Sequence, residues 1–374
     1  MTNTHDTTTN EALQARLRRL ERAEQQRIAT NRRLRRLAAT GMVLGAVVLP
    51  AVATAVDLPH AFAAGDPVVA AELNENFEAL SSAIDALVIR EDTTIQIDPA
   101  QTCAAIQAAL DDLDGRSIAG AVTVTLELLP GTYACSDTIA VRHRDGSRIH
   151  IRGAGNAPGD VTLTFPPSTH GVQVVDGGAL GSLENLTLQG ANLSGVGAFV
   201  QNGAVARVSS LVVTGFDWGV GATDGATIVG ADVLATANNT GVMAHRGGTV
   251  VLEASTSADN NFAGFMAWLD GRMSLPGCSA ESNGGQGFVA YVRGFIETDG
   301  MAIDNGASGF RVDQHGTLFT AGAVATGNGG YGYDSLFGGY LARTSPQASA
   351  GNASGEQNMP SGSLNLANGA IITQ

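Results

Sequence analysis

Two sets of glycines keep one beat along this chain, and that beat limits what it can fold into. Gly197, Gly219, Gly241, Gly264, Gly287, Gly309 and Gly332 stand 22 or 23 residues apart. A second set, Gly203, Gly225, Gly248, Gly271, Gly294, Gly316 and Gly339, keeps the same interval. Between them lie short runs that favour strands, such as GTVVLEAS and GFMAWLD, broken by Gly and Asn. No helical hydrophobic period accompanies them. A repeat of this length with about three short strands predicts an all-β solenoid, the parallel β-helix, with coils stacked about 4.8 Å apart. A leucine-rich repeat is similar in length, but its leucine consensus is missing.

Stacking gives each column of the repeat a physical role. Asn260, Asn283, Asn305 and Asn328 each stand four residues before a marker glycine. In register, their amides can bond up the column and satisfy turn backbone that would otherwise be buried unpaired. Val242, Phe265, Phe288, Phe310 and Tyr333 come directly after the marker glycines and are expected inside, with Ala244, Ala267 and Ala290 two places on. The glycines are expected to supply positive φ at the corners.

Alternation then sends two further columns outward: His245, Trp268, Tyr291 and Asp313, and beyond them Gly247, Asp270, Arg293 and His315. Aromatic faces beside charged groups suit sugar rings and their hydroxyls, so this is the candidate ligand face. The same residues also read as a subunit interface or an inert surface, with Asp270–Arg293 a coil-to-coil ion pair of little worth. For glycoside hydrolysis, Asp270 and Asp313 would lie roughly 10–12 Å apart by the coil spacing, beyond the usual window for paired carboxylates. Catalytic residues are therefore unassigned. No cofactor is implied, and no Cys/His spacing suits a metal.

Charge is unevenly placed. The chain has no lysine; residues 1–37 carry nine Arg against four acids, and the rest twelve against thirty-one, for a net charge of -14 overall. An acidic body repels phosphate backbones, which excludes nucleic acid as its partner. Residues 38–56, AATGMVLGAVVLPAVATAV, are uncharged and just long enough to span a bilayer, with Arg32, Arg33, Arg35 and Arg36 immediately before them. The positive-inside rule leaves the arm in the cytoplasm and exports the chain from about residue 57 onward. The apolar segment is either a retained membrane anchor or the core of a cleaved signal, which would make the protein secreted. Export would let Cys103 and Cys135 pair; otherwise they are two buried thiols.

Residues 66–88 place Ala70, Leu73, Phe77, Leu80, Ile84 and Leu87 three and four apart, the seam of a short coiled coil. With Phe62, Gly65, Asn74 and Asn76, the stretch resembles a segment found ahead of stalk or head domains in exported bacterial proteins. That resemblance implies self-association as a homo-oligomer, most often a trimer; a single helix capping the next domain is the other reading.

The helix-forming run CAAIQAALDDL (103–113), LLPGTY (128–133), IHIRGAG (149–155) and the coils from 171 to 340 together resemble the pectate-lyase-like right-handed β-helix superfamily, including phage tailspike-like and exported bacterial members. The resemblance covers roughly residues 95–374 and implies a capping helix on the open end of the solenoid. The expected organisation is a basic arm (1–37), an anchor or signal core (38–56), a linker with a short coiled coil (57–94), the capped β-helix (95–345) and a Ser/Gly/Asn-rich tail or last coil (346–374). The expected function is an exported surface protein, structural or glycan-binding. The alternative is a polysaccharide lyase or glycoside hydrolase.

Overall fold

The computed structural model describes residues 58–61, 69–343, 349–358, 364–365 and 370–373. The basic arm and the apolar segment 38–56 lie outside the described residues, as does 62–68 of the linker. Among the described residues no helix is long and apolar enough to cross a membrane. The chain divides into two units, Met1–Ala83 and Ile84–Gln374.

In the first unit, Asn76 is the buried residue of helix α1 (Ala70–Ala86). It accepts the His60 backbone N–H (2.9 Å) and donates to the His60 carbonyl (2.8 Å), clamping the incoming chain to the helix. The seam residues Leu73, Phe77 and Leu80 are exposed along α1, as are Ile84 and Leu87 at its end.

The second unit is a parallel β-solenoid of about ten coils. One ten-stranded sheet, here sheet I, runs from Ile139–Val141 to Gly355–Gln357 and includes Thr240–His245, Ala263–Trp268, Gln286–Tyr291, Phe310–Asp313 and Tyr331–Ser335. Sheet II supplies the remaining walls with strands such as Arg272–Leu275, Phe295–Thr298 and Thr317–Thr320. Register is direct: Val242 pairs with Phe265, Phe265 with Phe288, Phe288 with Phe310, and Phe310 with Tyr333. Their rings stack face to face inside the solenoid at 4.9, 4.9 and 5.2 Å, tilted by no more than 9°. Ala244, Ala267 and Ala290 are fully buried beside them.

The asparagine column bonds along the axis. Each side-chain oxygen accepts from the previous coil: Asn260 into Asn283, Asn283 into Asn305, and Asn305 into Asn328, at 2.8–2.9 Å from Nδ2 and 3.1 Å from the backbone. Asn238 and Asn352 extend it at the two ends. Asn352 brings part of the tail into register, and Ala370–Thr373 pairs with Tyr340–Arg343.

The glycines act differently from expectation. Gly203 and Gly225 have positive φ, whereas Gly248, Gly271, Gly294, Gly316 and Gly339 do not. The left-handed corner falls one residue earlier, at Gly247, Asp270, Arg293, His315 and Gly338. What the later glycines supply is the absence of a side chain: a Cβ on Gly294 would sit 2.0 Å from the Ala267 carbonyl oxygen, and one on Gly287 2.6 Å from that of Gly309.

Helix α2 (Thr102–Asp114) buries Cys103, Ile106, Leu110 and Leu113 in the core of this unit. Cys103 is disulfide-bonded to Cys135. Cys278 is a free, fully buried thiol whose pKa burial pushes up to about 11, as suits packing rather than chemistry.

Candidate functional site

Sheet I presents an outer face of three columns, and the register brings most of the sequence-predicted residues together on it. His245 pairs with Trp268, Trp268 with Tyr291, and Tyr291 with Asp313. The rings form a continuous row: Trp218 to His245 at 5.6 Å, His245 to Trp268 at 4.9 Å, and Trp268 to Tyr291 at 6.4 Å. Beside them Met243, Met266 and Val289 make a second apolar cluster, separate from the interior core. The row is half-buried at Trp218, Trp268 and Tyr291 and closed at His245. His245 is only 9% exposed, and its Nε2, like Trp268 Nε1, is buried without a hydrogen-bond partner among the described residues. Burial, reinforced by nearby Arg246 and opposed by Asp224, holds the His245 pKa below its ordinary 6.5.

Toward the C-terminal coils the face becomes charged, and here Asp313 is tied to a neighbouring cation rather than to the aromatic row. Arg311, two residues earlier on the same face, donates to Asp313 at 2.8 Å and lies 3.8 Å from Asp334 of the next coil. Both carboxylates are about 5% exposed, so one guanidinium serves two buried acids. Burial raises the Asp334 pKa, with Arg311 and the Ser308 hydroxyl opposing and Asp313 adding to the rise. Asp270 is exposed and bound bidentately by Arg293, at 2.8 Å through both Nε and Nη2. Those bonds hold the Asp270 carboxyl below its usual range.

Asp270, Arg293 and His315 occupy the stacked left-handed turns at the edge of this face. Arg293 and His315 line a shallow groove of about 400 Å³ with Val292, Gln314 and the exposed Phe337. Gln314 ties that turn to the aromatic row by donating to Tyr291 Oη at 2.6 Å. The seven predicted residues thus separate into a half-buried aromatic row (His245, Trp268, Tyr291), an edge groove with its ion pair (Asp270, Arg293, His315) and a buried carboxylate (Asp313).

A larger groove, about 500 Å³, lies on the outer face of sheet II. Ser274, Glu297 and Phe319 are stacked in register across three coils, with Phe295 and Asp299 on either side of Glu297. The Phe295 and Phe319 rings lie 5.6 Å apart, and Phe319 meets Tyr340 at 6.0 Å, so aromatics run diagonally across the wall. Asp299 accepts the Gly277 N–H at 2.6 Å. Glu297 is exposed, with no side-chain partner among the described residues. No basic residue lines this groove among the described residues. Aligning the repeat on its first glycine alone leaves these residues unseen. The second glycine carries the signal: Phe295, Thr317 and Tyr340 each come directly after one, and Glu297 and Phe319 stand two places further on.

No family model matches the chain, and no curated protein matches it by sequence. Solved structures do. The mannuronan C-5 epimerase AlgE4 A-module of Azotobacter vinelandii matches with a TM-score of 0.54 at 16% identity, over 70% of this chain and 79% of that one. The AlgE6 A-module from the same organism matches at 0.51 and 18%, over 67% and 73%. Pectate lyase Pel9A is a more distant match, at 0.39 and 15% over 72% and 79%. At such identities the likeness is one of fold: this chain is a parallel β-helix.

Proposed function

We propose that this protein binds an extended polysaccharide on the outer wall of its solenoid, seated in the sheet II groove. The observation that carries the reading is the groove itself: Phe295 and Phe319 offer flat apolar faces, while Ser274, Glu297 and Asp299 beside them supply hydrogen-bond partners for hydroxyls. The epimerase modules that share the fold are named for action on mannuronan, a polysaccharide, which supports the same ligand class. The proposal includes export of the solenoid through segment 38–56, as anchor or signal, α2 as the cap of the solenoid, and self-association as a trimer through 66–88, where the seam is exposed.

A second reading adds turnover. Glu297 lies on the strand Phe295–Thr298 and Asp299 directly follows it, so the groove holds two carboxylates, the residue type that glycoside hydrolysis employs in pairs. Incubating the full-length chain with a polysaccharide panel separates the readings. Retarded migration in affinity gels that is lost in Phe295→Ala/Phe319→Ala, without new reducing ends or unsaturated products, supports binding alone. Products that vanish in Glu297→Gln support turnover. Retardation by no polysaccharide overturns both.

A further inference from the structure

The sheet II groove carries a charge preference as well as a shape. Among the described residues its acids are Glu297, without a side-chain partner, and Asp299, bonded to a backbone N–H. Arg272 stands outside the lining, one coil before Phe295 and in register with it, while Asp270 is held by Arg293. The groove's lining thus joins aromatic faces to two carboxylates, with no basic residue in the lining among the described residues. A polyuronate would bring its own carboxylates against Glu297 and Asp299. An ammonium group would meet both the carboxylates and the negative ring faces of Phe295 and Phe319.

We infer that the groove is selective for a glycan bearing free amino groups, an aminosugar polymer, and disfavours polyuronates. The inference rests on the polysaccharide reading and names its substrate class. It also sets this chain apart from the mannuronan epimerase modules whose fold it shares, because a shared solenoid leaves the lining of each groove free to differ.

The test is equilibrium binding of the full-length chain to three short probes: a glucosamine tetramer, its fully N-acetylated counterpart and a mannuronate tetramer. The glucosamine tetramer is expected to bind at least about tenfold tighter than either of the others, and its affinity is expected to fall about tenfold between low and high salt. Glu297→Gln/Asp299→Asn should remove that advantage. Phe295→Ala should weaken binding without changing net charge, which separates the groove from general attraction of a polycation to an acidic surface. Equal or tighter binding of the mannuronate or acetylated probe overturns the charge inference and leaves the polysaccharide reading standing. Binding of the glucosamine tetramer that is indifferent to Phe295→Ala also overturns the inference. Binding of none of the probes overturns the inference and leaves the polysaccharide reading to the gel panel.

Discussion

The side-chain oxygen of Asn305 accepts two hydrogen bonds from Asn283 one coil earlier, from its backbone N–H at 3.1 Å and from Nδ2 at 2.8 Å. Both residues are 1% exposed, so no water replaces that oxygen if it is lost. Asn305→Ala is expected to destabilise the solenoid by about 3 kcal/mol, the cost of an orphaned buried backbone donor plus a weakened amide. Urea unfolding checks this. An unchanged midpoint would show that the ladder is ornamental.

The two kinds of glycine predict two different penalties. Gly203 has φ +73 with nothing within 4 Å of where a Cβ would sit, so Gly203→Ala should cost only about 1–2 kcal/mol in backbone strain. Gly287 has an ordinary φ, but its Cβ would lie 2.6 Å from the Gly309 carbonyl oxygen and 3.0 Å from both Ala302 Cβ and Asn305 Nδ2. Gly287→Ala must push coils apart along the ladder and should cost about 3 kcal/mol or more. Thermal unfolding of the two variants ranks them. The reverse order would restore the reading of these glycines as conformational.

The contrast explains what the sequence made legible. The coil, its period, the asparagine ladder and the inner aromatic column arise from spacing, because stacking turns equal intervals into vertical contacts. The φ assignment held at Gly203 and Gly225 and failed from Gly248 onward, because a column of glycines looks the same whether the backbone needs φ or space. Asp270, Arg293 and His315 show that the left-handed position accepts residues other than glycine. Asp313 looked like a free carboxylate only while Arg311 and Asp334 went uncounted. Arg311 shares its face by the two-residue alternation, and Asp334 shares Arg311's column on the next coil. The sheet II groove was missed because a single alignment point displays only one wall of the solenoid.

Cys103 and Cys135 close a loop of sequence separation 32. Restricting the unfolded chain over that length stabilises the native state by about 3–4 kcal/mol in the chain-entropy account. In a solenoid each coil leans mainly on its neighbours, so the effect should stay local. Reduction is expected to accelerate amide exchange across residues 93–165 while the Asn283–Asn328 coils keep their protection. Hydrogen exchange with and without reductant reads this directly. Uniform acceleration along the whole solenoid would show that the two ends are energetically coupled.

His245 makes the outer aromatic row sensitive to acid. Its pKa is held below 6.5, chiefly by burial, so the imidazole is neutral in the folded state while the unfolded chain begins to take up a proton near pH 6.5. The unfolded state then binds more protons, and stability falls as pH drops below 6.5 until the folded pKa is passed. His170 is depressed by burial as well and contributes with the same sign. His245→Gln should flatten part of that slope, and the double variant with His170→Gln more of it, in urea unfolding monitored from about pH 7 to about pH 4.5. Fluorescence isolates the site, because the chain's two tryptophans, Trp218 and Trp268, both flank His245, at 5.6 and 4.9 Å. Protonation of the ring between them should quench their emission with a midpoint below pH 6.5, and His245→Gln should abolish the transition. A midpoint at or above 6.5 would mean that the ring is solvated in solution and that the row is open enough to receive a ligand.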